Sequence, residues 1–269
     1  MNELPLVSVI MSEFNTDVEL LKSSIESILK QDYENLELIV IDDCGKNNLN
    51  EFKELFNDNR LKIYRNTENL GLVYSLNRAI KLSKGKYIAR MDTDDYSYKN
   101  RIALQVEFLE RNPQFSLVGS RVDKYDGEKI WGETSFWGEV TRKELLNGST
   151  LTHPSVMFKS ELMKNTAGYL NYKRCEDYAT WINLFASGHR MYIMREKLLR
   201  YHLSLDDYKK RTLKARKDFF KMINKEYIKL NPTIFKIVSV YIKNIVAGIL
   251  PWRVMYYYHR KKSKVYEKN

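Results

Sequence analysis

Gly85-Lys86-Tyr87-Ile88-Ala89-Arg90-Met91-Asp92-Thr93-Asp94-Asp95 carries a short apolar run directly into three carboxylates within four residues. The near-continuous hydrophobicity up to Met91 is the pattern of a strand buried on both faces, as parallel strands are. Toward the N-terminus the same figure recurs three times. Residues 6–11 are apolar and lead into Ser12, Glu13 and Asn15, residues 36–41 end at Asp42 and Asp43, and residues 61–64 run out near Asn66 and Asn69. Helical patterns separate these strands. Residues 16–29 place Val18, Leu21, Ile25, Ile28 and Leu29 on one face behind a Thr16/Glu19 capping box. Residues 51–56, 72–82 (stopped by Gly85) and 99–110 (closed by Asn112-Pro113) read as further helices. This alternation predicts an α/β fold with a mostly parallel sheet flanked by helices.

The C-terminal ends of parallel strands lie along one edge, and open α/β sheets bind their ligands there. Ordinary turn chemistry accounts for an Asp or Asn at any single strand end. It accounts poorly for four such clusters in succession. Crowded carboxylates raise one another's pKa, and a divalent cation relieves the repulsion. Oxygen ligands without cysteine or an adjacent histidine favour Mg²⁺ or Mn²⁺ over zinc. No G-x-G-x-x-G follows the first strand and no G-x-x-x-x-G-K-[ST] occurs, which argues against dinucleotide-binding and P-loop enzymes. A phosphatase nucleophile is expected after the first strand rather than the fourth, and a nucleotidyltransferase would want glycines in the 11–16 loop.

Beyond the fourth strand the pattern is less regular. Residues 116–125 and 155–158 read as strands, 126–150 as loop-rich, 176–186 as a helix ended by Gly188, and 190–194 and 198–202 as two strands. From residue 206 onward the chain is helical, with breaks at Pro232 and Pro251. Charge is uneven along it. Residues 1–194 hold 25 Lys/Arg against 28 Asp/Glu, whereas residues 195–269 hold 20 against 6. The expected organisation is therefore a body, 1–205, divided into halves 1–112 and 113–205, followed by a basic helical tail, 206–269.

Residues 7–15, 24–31, 37–43, 69–77 and 85–95, in that order, resemble the successive motifs of family 2 glycosyltransferases of the bacterial surface and capsular polysaccharide type. The likeness covers about residues 5–205. It implies a GT-A fold and inverting transfer of a hexosyl or N-acetylhexosaminyl group from a nucleoside diphosphate, commonly UDP; non-processive action is expected because the spanning helices and Gln-x-x-Arg-Trp motif of a processive synthase are not found. It further implies nucleotide contacts from Ser12, Glu13, Asn15, Asp43, Asn69, Gly71, Asn77, Asp92, Thr93 and Asp94. Mn²⁺ or Mg²⁺ is expected on Asp94 and Asp95, with His202 beside them and Arg200 at the departing diphosphate. Where the family commonly reads Pro-Thr-Tyr-Asn, this chain has Met11-Ser12-Glu13-Phe14-Asn15, which adds a carboxylate. Cys175-Glu176-Asp177-Tyr178 resembles the family's acidic pair opening a helix. An acceptor hydroxyl must lose its proton as it attacks the anomeric carbon. Asp177, with Glu176 beside it, is the expected catalytic group, against the alternative of simple helix-dipole compensation. His153, in Thr152-His153-Pro154-Ser155, is the weaker candidate for a site role.

In the tail, Ile234, Ile237, Tyr241, Ile245, Ile249 and Trp252 recur at helical spacing, interrupted by Lys236 and Lys243 and followed by Arg253, Arg260, Lys261, Lys262 and Lys264. A lysine near the centre of a spanning helix costs about 2.5–3.5 kcal/mol, so a helix lying in an anionic membrane surface fits better. A saccharide acceptor, lipid-linked if the membrane is near, would suit that placement. The opening strand is too short for a secretory leader, and two distant cysteines fit a reduced compartment. The expected location is cytoplasmic, peripheral on the inner face of the membrane. The rival reading is a nucleic-acid- or membrane-binding protein on an inactive nucleotide-binding fold. The acidic edge disfavours nucleic acid as the main partner.

Overall fold

The computed structural model describes residues 4–209, 212, 213 and 216–263. The first half alternates as the hydrophobic pattern requires: β1 (Val7–Glu13), α1 (Val18–Leu29), β2 (Leu36–Asp42), α2 (Leu49–Phe56), β3 (Leu61–Arg65), α3 (Leu72–Leu82) and β4 (Tyr87–Arg90). β1 runs two residues further than its apolar run, so Glu13 is its last residue and pairs with Asp42. The Thr16/Glu19 capping box does not form. Asp17 caps α1 instead, accepting from the backbone N–H groups of Glu19 and Leu20, and the Thr16 hydroxyl meets that of Thr93 at 2.7 Å.

β5 (Tyr96–Ser97), α4 (Arg101–Arg111) and β6 (Phe115–Tyr125) lead into the second half. The stretch expected to be loop-rich contains β7 (Ile130–Glu133), β8 (Gly138–Glu139) and α5 (Arg142–Asn147), the last opened by a Thr141/Glu144 capping box. A 3₁₀ turn at His153–Ser155 then feeds β9 (Met157–Lys159), α6 (Ser160–Lys164), α7 (Glu176–Ala186) and β10 (Arg190–His202). The two strands expected at 190–202 are one, bulged between Met194 and Leu199 where Arg195, Glu196 and Lys197 turn to solvent.

Among the described residues ten strands form one sheet in the order β3-β2-β1-β4-β9-β6-β10-β5, with β7 beside β6 and β8 beside β10. From β3 to β4 the pairing is parallel throughout. Beyond Arg90 it becomes mixed. β9 runs antiparallel to both β4 and β6, which it joins, and β10 runs parallel to β6. The four acidic or amide strand ends therefore share an edge, as the alternation requires, while the second half is stitched on through β9. Two cores fill the faces. One packs α1 and α4 through Leu21, Ile25, Ile28, Ile102 and Val106. The other centres on Trp181 of α7 and takes in α3.

After β10 come α8 (Leu205–Lys209), α9 (Lys217–Lys225), α10 (Ile234–Ile249) and α11 (Trp252–Lys262). Packing continues past the change in charge, because Met222, Ile223, Tyr227 and Leu230 belong to the Trp181 core. The breaks at Pro232 and Pro251 fall as expected, and α10 and α11 meet at a bend of 118°. Among the described residues no single helix is long and apolar enough to cross a membrane. Lys264 lies outside the described residues.

Candidate active site

At the β1 end, Glu13 is buried. One of its oxygens accepts from the Thr16 N–H (3.0 Å) and the Asn47 amide (2.8 Å), and the other has no partner. Burial raises its pKa. Ser12 lies half-buried beside it. Asn15 takes the left-handed conformation (φ 57°) and its side chain receives the Lys46 N–H at 2.8 Å. Next along the edge, Asp43 is buried and grips the β3–α3 connection. It accepts from Asn66 Nδ2 (2.6 Å) and from the backbone N–H groups of Leu70 (2.9 Å) and Gly71 (2.8 Å). Gly71 has φ 87°, a conformation that suits glycine, and Asn69 stands exposed on the same turn. Asn77 pairs both ends of its amide with the backbone of Tyr169, at 3.0 and 2.8 Å. It thereby ties α3 to the segment between α6 and α7.

The acidic cluster follows β4. Asp92 pairs with Arg90, a buried guanidinium on that strand. Burial works against the charge on Arg90, but Asp92 beside it keeps it protonated. Thr93 bonds Thr16 and so closes the β1 loop over the cluster. Asp95 is buried, with one oxygen held by the His202 N–H at 2.7 Å and the other without a partner. Burial first, then Asp92 and Asp94, drive its pKa well up. Asp94 is 38% exposed and meets His202 Nδ1 at 3.3 Å, which raises the imidazole pKa. Arg200, two residues before His202 on β10, lies between the Tyr96 and Tyr125 rings, 4.6 Å from each centroid.

Glu176 and Asp177 form the first turn of α7, where the helix dipole favours negative charge. Glu176 is buried. Burial and its neighbour Asp177 lift its pKa to about 7, while Arg90 pulls the other way. Burial also raises Asp177, again opposed by Arg90, and its carboxylate accepts from the Ser149 hydroxyl at 3.4 Å. Asp92 and the Glu176–Asp177 pair, more than 80 residues apart in sequence, are thus within electrostatic reach of one guanidinium. Around it lie buried polar atoms without protein partners: Arg90 Nε and Nη1, His153 Nε2, Tyr169 Oη and Trp181 Nε1. The three rings pack edge to face, His153 to Tyr169 at 4.9 Å and Tyr169 to Trp181 at 6.1 Å. A polar ligand bearing several hydroxyls would satisfy such a wall.

A family model described as Glycosyl transferase family 2 matches residues 8–229. The chain belongs to family 2 of the glycosyltransferases. Among relatives of this glycosyltransferase, EpsE of Bacillus subtilis (strain 168) is 29% identical over 97% of this chain and 96% of its own. An Escherichia coli protein, named UDP-Glc:alpha-D-GlcNAc-diphosphoundecaprenol beta-1,3-glucosyltransferase WfaP, is 29% identical over 69% of this chain and 72% of its own. The solved mannosyltransferase PcManGT of Pyrobaculum calidifontis, in complex with GDP-Man and Mn²⁺, aligns with a TM-score of 0.64 at 17% identity. It covers 97% of this chain and 81% of that one. The fold is GT-A.

Among the described residues no group of three His, Cys, Asp or Glu side chains encloses a metal ion unaided. A cation that draws most of its ligands from a diphosphate needs only one or two carboxylates. The open Asp94 and the partnerless Asp95 oxygen provide such a set. Arg90, Tyr169 and Trp181 were not singled out from the sequence. Their types and spacing are those of ordinary core residues, and the unmet polar atoms become visible only once the halves are packed.

Proposed function

We propose that this glycosyltransferase moves a sugar from a nucleoside diphosphate, UDP being the favoured carrier, onto a hydroxyl of a saccharide acceptor. Transfer occurs once per encounter and with inversion. The supporting observation is the approach of Glu176 and Asp177 on one side, and Asp92 on the other, to the buried Arg90. Asp177 takes the acceptor's proton as its oxygen bonds to the anomeric carbon. The bond from that carbon to the diphosphate breaks in the same displacement, and the nucleoside diphosphate leaves. Glu176, neutral for part of the population near pH 7, sets the polarity around that base. Ser12, Glu13, Asn15 and Asp43 shape the base end of the donor site, with Asn69, Gly71 and Asn77 framing it and Asp92 and Thr93 toward the ribose. The atoms around His153, Tyr169 and Trp181 would meet hydroxyls of the transferred sugar.

Asp94 and Asp95, with His202 beside them, would hold Mn²⁺ or Mg²⁺. When bound, the ion neutralises the diphosphate as charge builds on it. The complex of PcManGT with GDP-Man and Mn²⁺ supports this. Arg200 adds positive charge on the same strand as His202.

The acceptor we propose is a lipid-linked saccharide in surface polysaccharide assembly, supported by the diphosphoundecaprenol acceptor in the name of WfaP. Peripheral attachment to the inner face of the membrane accompanies it. Phe235, Val238, Ile242, Ile245, Val246 and Ile249 form an exposed apolar stripe along α10, which suits burial at the acyl boundary of a bilayer. The test is a screen of UDP- and GDP-sugars for binding and nucleotide release with and without Mn²⁺. A protein that binds no nucleoside diphosphate in the presence of Mn²⁺ or Mg²⁺ refutes the proposal.

A further inference from the structure

The cavity that contains Asp177 has a volume of about 590 Å³ and lies between the start of α7 and the inner side of α10. Among the described residues five cationic side chains, Lys173, Arg174, Arg216, Lys236 and Lys243, line it with two carboxylates, Asp177 and Asp207. A neutral sugar needs no such excess of positive charge. The orientation of α10 sharpens the point. A helix on a globular body turns its apolar stripe inward and its polar stripe to water. α10 departs from this on both sides: Ile237, Val240 and Tyr241 pack against the body, but Lys236 and Lys243 line the cavity beside them, and Phe235 is 84% exposed on the outer face. Lys236 is steadied by Asn147 Oδ1 at 2.7 Å. Lys173 and Lys243 have no carboxylate within ion-pair distance among the described residues. Arg174, next to the first turn of α7, has φ 68°, a left-handed conformation that costs a non-glycine residue energy and is often found at ligand sites.

We propose that this cavity binds the phosphate groups of the acceptor, which is a glycosyl diphosphate, through Lys173, Arg174, Lys236 and Lys243. The inference rests on the function proposed above and narrows its acceptor. A cavity of this volume is about 10 Å across, within the usual range for small-ligand sites. Asp177 lines the same cavity as the cations, so the attacked hydroxyl belongs to a sugar close to the phosphate. The lipid end leaves past α10, whose outer face is apolar.

The test uses the full chain, saturated with UDP and Mn²⁺, and calorimetric titration with two water-soluble probes. One is a short-chain alkyl N-acetylglucosaminyl diphosphate, the other the matching alkyl glycoside without phosphate. The diphosphate is expected to bind at least tenfold more tightly. Lys173→Gln with Lys243→Gln should weaken it at least tenfold without changing the affinity for UDP. Both positions are exposed, so folding is not at stake. Equal binding of the two probes overturns the inference, as does inorganic pyrophosphate binding as tightly as the glycosyl diphosphate. A double variant that loses affinity for phosphatidylglycerol vesicles but keeps it for the glycosyl diphosphate would assign the lysines to lipid headgroups, and also overturns it. Failure of the unsubstituted protein to bind UDP with Mn²⁺ would instead strike the donor reading.

Discussion

Replacing Glu176 with glutamine should make the protein more stable at alkaline pH. The carboxyl is buried at the start of α7, and folding moves its pKa from 4.5 to about 7, burial being the main cause and Asp177 the next. The folded pKa lies above the unfolded one, so the folded protein binds more protons between pH 4.5 and 7. Stability therefore falls as pH rises through that window, and the penalty is complete above it. The two pKa values set its size at about 3 kcal/mol. Glutamine keeps the shape and an acceptor oxygen but never ionises. At roughly 2–4 °C per kcal/mol for a chain near this size, Glu176→Gln should raise Tm by roughly 6–12 °C at pH 8.5 and by only about 2–3 °C at pH 5. Differential scanning calorimetry at the two pH values, without donor or divalent cation, reads this directly. A gain of equal size at both pH values, or none at pH 8.5, would refute the argument that a buried, repelled carboxylate is the cause. In the unsubstituted enzyme, transfer should decline as pH falls far enough to protonate Asp177, whose pKa burial holds above the ordinary carboxylate value, since the protonated group cannot act as a base.

Asp177→Asn should leave UDP affinity within about twofold and reduce transfer by 10²-fold or more, the usual reach of a general base; normal transfer would exclude Asp177 as the base. Asp94→Ala and Asp95→Ala should each weaken UDP binding about tenfold in Mn²⁺ and little in EDTA, a difference that titration in the two buffers detects. Asp43→Ala strands the Asn66 amide and the N–H groups of Leu70 and Gly71, so chemical denaturation should report a loss of about 2–4 kcal/mol. Anionic vesicles should bind the protein in a salt-sensitive manner, and Val238→Asp with Ile242→Asp, both on exposed positions of α10, should abolish co-flotation without lowering Tm.

The order of strands and helices was legible in the amino-acid sequence because hydrophobic periodicity is a local property. The helices expected at 72–82 and 176–186 occur with those limits. The acidic strand ends lie on one edge because parallel pairing of β1 to β4 leaves them no other place. Periodicity tells which face of a segment is buried but not against what. Only the tertiary structure inserts β9 between β4 and β6, closes the Asn77 amide onto Tyr169 across 92 residues, and brings Arg90 within reach of Glu176. The same limit governs α10. Its sequence carries apolar residues on more than one face, and contacts with α9 and the Trp181 core select Ile237, Val240 and Tyr241 for the inner side, leaving Phe235, Val238 and Ile242 outside. Composition and spacing along the chain determine which residue types face which side of an element. The partners of those faces come from elements far away in sequence, and packing alone selects them.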